Sequence, residues 1–307
     1  MAAHAIVVAY PGQGHINPMM QLATKLASKG IAITFVLTES WHKIITEAQD
    51  NAFTHAQTLG IPIRTRIIPD CVVGESQRSA DMVEFFRSLS NMEAHVSEII
   101  SNFDRSETPV TCMISDAFLK WTAPFAKRQG LLFVSLWPMS VTTFSIFYHS
   151  DLVRVEGCTD CIPGVPSLQL GELPSPLQPP FPMRNEVAEC IVNVKEADLI
   201  VANSFYALEC RAVEALRQKM KPPLHCVGPL LPSAYFDRTD CRDRKKGSSS
   251  RIETDCSQWL DSKQPRSVIY VSFGSFLPVS RPQIWEIALG LMKSRCYFVW
   301  ALRPDKE

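Results

Sequence analysis

The stretch AIVVAYPGQGHINPMMQLATKLASKG, residues 5–30, begins as a strand and continues as a helix. Ala5 to Ala9 is a short, almost wholly apolar run, which is typical of a strand buried on both faces of a parallel sheet. A turn rich in glycine and proline follows, and from Met19 the apolar residues recur at the spacing of one helical face. The apolar run at 31–37 is a second buried strand. The order strand, turn, helix, strand predicts an α/β fold with a parallel sheet.

The turn contains part of a dinucleotide-binding fingerprint. Gly12 and Gly14 match the first two glycines of G-x-G-x-x-G, and Glu39 could supply the acid expected near the end of the second strand. The third glycine is absent, because Asn17 and Pro18 stand in its place. NAD or FAD binding, and with it an NAD-dependent oxidoreductase, is therefore the disfavoured interpretation.

Composition narrows the class of protein. The 31 basic and 31 acidic residues cancel, so nothing indicates nucleic acid or an anionic membrane as a partner. No apolar run reaches the ~18 residues of a membrane-spanning helix, so we expect no stable membrane insertion. The N-terminus lacks the basic and long apolar regions of a secretory signal. Ten scattered cysteines, with only Cys158 and Cys161 closely spaced, predict reduced thiols in a cytoplasmic protein.

Strand and helix patterns alternate along the rest of the first 232 residues. A helical pattern covers 82–103, and another over about 119–129 ends at Gly130. The proline-rich stretch 161–182 predicts an extended excursion and not a core element. Further buried strands are predicted at 110–115, 131–137 and 197–204.

A polar segment of mixed charge divides the chain. Residues 233–255 contain GSSS and are typical of a linker. Past them, two apolar strands flank a helix from about Arg281 to Ser294, which makes a new βαβ unit. We therefore expect a doubly wound domain over 1–232 and the start of a second domain over 256–307.

The turn of this second unit could seat a phosphate. Gly274 and Ser275 follow a strand end, and Ser280 with Gln283 forms a capping box at the next helix, with Pro282 in its first turn. Free N–H groups and the helix dipole favour an anion there. The alternative is that Gly274 only makes a tight turn between strand and helix.

One pair of residues predicts acid–base chemistry. His15 follows the carboxyl end of the first strand, and Asp116 ends the strand at 110–115. In the usual doubly wound order these strands are neighbours at the crevice where ligands bind. A histidine oriented by a carboxylate can act as a general base. A structural hydrogen bond for His15 and a helix N-cap for Asp116 are the alternatives.

The chain resembles the plant family 1 UDP-glycosyltransferases in six segments: PGQGHINP, PVTCMISDAF, IPGVP, ADLIVANSFYALE, VGPLLP and CSQWLDSKQPRSVIYVSFGS. The resemblance runs from the first strand to the last residue. It implies a GT-B fold, in which two doubly wound domains face each other across a cleft. The chain would hold the N-terminal acceptor-binding domain and the first βαβ unit of the UDP-sugar-binding domain.

The resemblance also implies a reaction. A sugar, typically glucose, passes from a UDP-sugar to a hydroxyl of a small lipophilic acceptor such as a flavonoid, with inversion and without a metal. His15 would be the base and Asp116 its partner. The UDP-sugar is a co-substrate, so no resident cofactor is implied, and we expect a monomer.

Five positions match further residues of the family's cleft. Ser275, Gly274 and Gly14 would contact the UDP-sugar. Phe118 and Trp137 would line the acceptor site together with the base, although buried core is the simpler interpretation of either aromatic residue.

The family's signature box for the UDP-sugar has no match in this sequence, which ends at WALRPDKE. We therefore expect this chain to be inactive alone. The alternative is a non-catalytic fragment that binds small molecules.

Overall fold

The structure, a computed structural model, describes residues 3–47, 56, 60–72, 82–103, 108–153, 162–178, 183–231, 256–274 and 279–302. The chain divides into two units, residues 1–249 and 250–307. Because the predicted linker 233–255 lies outside the described residues, the domain boundaries stay predictions.

Strands and helices alternate through the described part of the first unit. In chain order they are β1 (His4–Val8), α1 (Gln13–Ala27), β2 (Ala32–Thr38), α2 (Glu39–Glu47), β3 (Ile63–Ile68), α3 (Met82–Ser88), α4 (Met92–Ser101), β4 (Cys112–Asp116), α5 (Thr122–Gln129), β5 (Leu132–Trp137), α6 (Val141–Tyr148), α7 (Arg184–Lys195), β6 (Leu199–Ala202), α8 (Tyr206–Lys219) and β7 (Leu224–Cys226). The second unit contains α9 (Ser257–Asp261), β8 (Val268–Ser272), α10 (Arg281–Ser294) and β9 (Tyr297–Ala301).

The seven strands that the structure describes in the first unit form one parallel sheet in the order β3-β2-β1-β4-β5-β6-β7. From β1, the next two strands, β2 and β3, are added on one side of the sheet. Strands β4 to β7 are then added in order on the other side. The order therefore reverses between β1 and β4, which pair with Val8 opposite Ser115. The predicted doubly wound fold is confirmed, and its crevice lies at the carboxyl ends of these two strands.

Hydrophobic packing covers both faces of this sheet. Along β1, Ile6 and Val8 join the core on one face, whereas Ala5 and Val7 join the core on the other. This two-sided burial explains why the first strand is almost wholly apolar. Helix α1 packs on the second face through residues such as Met19.

The sequence pattern locates the end of helix α5 accurately but not the start of helix α1. Helix α1 begins at Gln13, well before the apolar spacing that starts at Met19, because first-turn residues need no apolar spacing. Pro18 lies inside the helix, where it removes the N–H that would donate to the carbonyl of the exposed Gly14. Helix α5 ends where predicted, because Gly130 takes the left-handed conformation (φ 66°) at its C-cap.

The proline-rich excursion contributes to the core, so the prediction that it does not was wrong. Its described part, residues 162–178, forms two short 3₁₀ turns at Leu170–Glu172 and Ser175–Leu177. Ile162 and Leu177 are buried in the larger of the two hydrophobic cores. An extended segment can cover a helical layer, even though proline excludes it from helices and central strands.

The second unit has a small parallel sheet in which β8 pairs with β9. The capping box of α10 is present: the Ser280 hydroxyl accepts from the Gln283 N–H, and the Gln283 side chain accepts from the Ser280 N–H. Both strands carry exposed aromatic residues, including Tyr270, which is 70% exposed, and Tyr297.

The described helices include none that combines the length and apolarity needed to cross a bilayer.

Candidate active site

The reversal of strand order brings His15 and Asp116 together. His15 lies in the first turn of α1, and Asp116 is the last residue of the adjacent β4. The His15 Nδ1 lies 2.8 Å from the Asp116 Oδ2. The predicted contact is therefore present, although the catalytic roles of the two residues stay predictions.

The Asp116 carboxylate is fixed on both sides. Its side chain is 0% exposed, and its Oδ1 accepts from the backbone N–H of Phe118 at 3.0 Å. With Oδ1 held in this way, Oδ2 is directed at the imidazole. A buried carboxylate in this position favours the tautomer in which the His15 Nδ1 carries the proton.

The His15 ring lies against aromatic side chains but is not enclosed by them. The Tyr10 ring centroid is 4.5 Å from that of His15, and the Phe118 ring meets it edge-on at 5.5 Å. The His15 side chain keeps 22% of its surface exposed. Within the described residues no hydrogen bond occupies its Nε2, which is therefore available to a ligand.

The predicted acceptor residues form one aromatic stack. Phe118 stacks on Trp137 with 5.3 Å between centroids, and the Trp137 indole N–H donates to the Ser140 carbonyl at 2.9 Å. Both rings are buried, and only 1% of Trp137 is exposed. Trp137 thus supports the wall behind Phe118 and presents almost no surface to a ligand in this structure.

The structure describes two of the three residues that were predicted to contact the UDP-sugar, Gly14 and Gly274. Gly14 is exposed in the first turn of α1, and a Cβ added there would meet no other atom. Gly274 has a φ of 72°, a conformation that favours glycine, so the turn by itself explains this residue. Ser275 lies outside the described residues.

The described part of the chain offers no metal site, and burial keeps two of its thiols protonated. It contains no cluster of three or more His, Cys, Asp or Glu residues that could hold a metal ion. Cys190 is a free thiol whose pKa burial raises to about 12, and burial likewise raises the pKa of the Cys112 thiol to about 11. Neither thiol is ionised near neutral pH.

Sequence reasoning missed Glu209, which caps the helix beside the aromatic stack. Its carboxylate accepts from the backbone N–H groups of Val141 and Thr142, each at 2.8 Å, and from the hydroxyls of Thr142 and Ser204. A carboxylate in the first turn of α8 thus satisfies two of the free donors at the start of α6, and the Ser140 hydroxyl accepts from a third, the Thr143 N–H. The sequence carries no signal for this contact, because the capped helix lies far from Glu209 along the chain.

The Glu209 cap predicts a stability that depends on pH. Burial opposes ionisation of this carboxyl, but the hydrogen bonds from Ser204, Thr142 and Val141 outweigh it and lower its pKa. The contribution is therefore fully present above the unfolded pKa of about 4.3 and is lost as the pH falls through the lower folded pKa. We expect Glu209→Gln to lower the free energy of unfolding by ~1–2 kcal/mol near neutral pH.

Urea denaturation followed by tryptophan fluorescence at neutral and acidic pH measures this effect. The difference between Glu209→Gln and the wild type should shrink as the pH falls. Glu214→Gln is the matched control, because Glu214 lies on the same helix and forms an ion pair with the partly exposed Arg217. A difference that is constant with pH would contradict the charged cap.

Known plant proteins resemble the chain in sequence along almost its whole length. No family model matches the chain. The chain is 33% identical over 335 residues to the (R)-mandelonitrile beta-glucosyltransferase of Prunus dulcis. The matched stretch covers 98% of this chain and 67% of that protein. It is also 33% identical over 318 residues to UDP-glycosyltransferase 86A2 of Arabidopsis thaliana, covering 98% of this chain. The chain spans 64% of the length of that second relative.

Solved structures share the fold. Os79 from O. sativa in complex with UDP superposes with a TM-score of 0.81 over 99% of this chain and 68% of that chain, at 24% identity. UGT71G1 of Medicago truncatula complexed with UDP-glucose gives a TM-score of 0.78 over 99% of this chain and 67% of that chain, at 20% identity. The predicted GT-B type of fold is confirmed by these likenesses. By sequence similarity and by fold, the chain belongs to the plant UDP-glycosyltransferases.

Proposed function

We propose that this chain carries the acceptor-activating part of a UDP-sugar-dependent glycosyltransferase, with His15 as the general base. The observation that supports the proposal best is the contact between the His15 Nδ1 and the buried Asp116 carboxylate, which leaves Nε2 open to a ligand. A lone structural histidine needs neither a buried anionic partner nor an unoccupied second nitrogen.

The reaction proceeds by a single displacement. The His15 Nε2 accepts the proton of an acceptor hydroxyl while that oxygen bonds to the anomeric carbon of the sugar. The bond from the anomeric carbon to the UDP oxygen breaks on the opposite face, so UDP leaves and the configuration inverts. The imidazolium that forms on His15 is stabilised by Asp116, whose orientation the Phe118 N–H maintains. No metal takes part in this scheme.

The donor in this proposal is UDP-glucose, and the acceptor is a small lipophilic hydroxyl compound such as a flavonoid. Two similar proteins are named as glucosyltransferases that act on gallate and on (R)-mandelonitrile, which favours glucose and an aromatic acceptor. Phe118 offers the acceptor an apolar wall beside His15, with Trp137 behind it. Gly14, Gly274 and Ser275 are the proposed contacts of the UDP-sugar. The proposed protein is a monomer located in the cytoplasm.

A substitution at Gly14 can show whether this residue contacts the UDP-sugar or is needed only for folding. Because an added Cβ at Gly14 meets no atom of the protein, Gly14→Ala should leave the fold intact and stabilise α1 by ~0.5–1 kcal/mol. If the backbone here approaches the UDP-sugar, the same methyl group should raise the KM for UDP-glucose at least ~10-fold, which is the cost of about 1.4 kcal/mol of binding. A raised melting temperature with an unchanged KM would remove Gly14 from the proposed site.

The experiment for the proposed function uses an extended protein, in which this chain is continued by the carboxyl-terminal part of UDP-glycosyltransferase 86A2 that lies beyond the matched stretch. It is incubated with UDP-glucose and a panel of phenolic acceptors that includes a flavonol, and glucosides are detected by mass spectrometry. We expect glucoside formation that depends on His15. Binding of NADH in place of UDP-glucose would favour an oxidoreductase instead.

We expect residues 1–307 alone to give no useful rate in the same assay. Transfer requires donor and acceptor to be held together, and such positioning lowers the activation barrier by ~7–11 kcal/mol. Binding of the flavonol without any transfer, by both proteins, would favour a module that only binds small molecules. Clear product from residues 1–307 would contradict the expected inactivity. The role of His15 would then be tested by its substitution in the same chain.

A further inference from the structure

The turn that carries Asp116 and Phe118 is anchored by a buried amide on a neighbouring helix. Asn193 of α7 accepts at its Oδ1 from the backbone N–H of Ala123 at 2.7 Å. Its Nδ2 donates to the Thr122 hydroxyl at 3.1 Å. Asn193 and Thr122 are both buried.

The amide supplies the acceptor that the first turn of α5 lacks. Thr122 and Phe125 donate their backbone N–H groups to carbonyls within the turn and the helix, and Pro124 has no N–H. Within this turn, Ala123 is left with a buried N–H that needs an outside acceptor, and Asn193 provides it. A buried donor without a partner costs ~1–3 kcal/mol, so this contact fixes where α5 begins.

The Thr122 hydroxyl connects both ends of the turn. It donates to the carbonyl of Leu119 at 2.7 Å and accepts from the Ser115 hydroxyl at 2.9 Å as well as from Asn193. Ser115 directly precedes Asp116 in β4. The backbone on either side of Asp116 and Phe118 is therefore held by one network of buried hydrogen bonds.

We propose that Asn193 is a positioning residue for the pair formed by His15 and Asp116. It touches neither side chain. It acts by fixing the turn, so that the Phe118 N–H stays within hydrogen-bond distance of the Asp116 Oδ1 and the carboxylate keeps Oδ2 on the imidazole. This inference rests on the proposed function, in which His15 is the base.

The consequence is a preference for one tautomer of His15. With Asp116 in place, the proton lies on Nδ1 and the lone pair of Nε2 faces the ligand. If the turn relaxes, the carboxylate can rotate away, and the proton then distributes over both nitrogens because no acceptor selects Nδ1. A base with its proton on Nε2 cannot accept another there.

The test measures this tautomer in the 307-residue chain, without any assay of activity. Histidines are labelled with ¹⁵N, long-range ¹H–¹⁵N spectra are recorded at a pH where imidazoles are neutral, and His15→Gln assigns the signals of His15. We expect Nδ1–H to predominate in the wild type. Asn193→Leu and Thr122→Val should each lower the Nδ1–H fraction of His15 at least ~2-fold.

Two variants separate positioning from general loss of stability. Thr122→Ser keeps the hydroxyl and should keep the wild-type tautomer. Val187→Ala removes buried contacts from the same helix α7 and should destabilise the protein without moving the signals of His15. His4 is an internal reference, because its Nδ1 is held by the Thr108 carbonyl at 2.7 Å, in a different part of the sheet.

The outcomes are distinguishable. Folded Asn193→Leu and Thr122→Val proteins that retain the wild-type tautomer of His15 would overturn the positioning role. If Asn193→Leu does not fold, Thr122→Val decides the question in the same way. A wild-type His15 with its proton on Nε2 would contradict the base assignment itself, before any variant is compared.

Discussion

Replacing His15 with alanine in the extended protein is expected to lower kcat by ~10²–10⁴-fold, which is the usual contribution of a positioned general base. The KM for UDP-glucose should stay nearly unchanged, because the substitution removes a proton acceptor and not a phosphate contact. Initial rates at saturating acceptor, with UDP-glucose varied, measure both quantities.

The control for this substitution is His225→Ala, which removes an exposed histidine from β7. It should leave both parameters at their wild-type values. If His15→Ala instead abolished UDP-glucose binding with little effect on turnover at saturation, His15 would hold the phosphates and would not be the base.

Asp116→Asn is expected to cost ~10²–10⁴-fold in kcat with little change in shape, since a comparable substitution in a hydrolase triad leaves the geometry intact but selects the wrong tautomer. The amide oxygen can still accept from the Phe118 N–H. The amide N–H₂ then faces the His15 Nδ1 and forces it to accept, so the proton moves to Nε2 and blocks the base.

Steady-state kinetics and circular dichroism on the same preparation test this prediction. Asp198→Asn is the matched control, because the Asp198 carboxylate also accepts a backbone N–H, that of Phe133 at 2.8 Å, among its described contacts. It should retain the wild-type kcat. A folded Asp116→Asn protein with wild-type kcat would show that Asp116 only caps the turn, which is the alternative that its hydrogen bond to Phe118 allows.

The contact between His15 and Asp116 could be predicted because it follows from strand order. Parallel strands that are neighbours at the reversal point place their carboxyl ends side by side, so two residues far apart in sequence meet there. The apolar pattern of β1 was similarly informative, since burial on both faces strongly favours apolar residues.

Other contacts of the site could not be predicted, because they depend on side chains that meet across layers. The Tyr10 ring beside His15, the Glu209 cap of α6 and the Asn193 anchor of α5 each join segments whose relative position only the packed helices define. The start of α1 was missed for a local reason, since its polar first turn has no periodicity to detect.

The measurement that tests the central claim most directly compares acceptors of different acidity in the extended protein, with and without His15. For an alcohol or a weakly acidic phenol, the wild type should exceed His15→Ala by ~10²–10⁴-fold in kcat, because the base must remove the proton. For a nitrophenol that is already ionised at the assay pH, no base is needed, and the ratio should fall to within ~10-fold. An equal loss with both kinds of acceptor would contradict the account, because His15 would then act on something other than the acceptor proton.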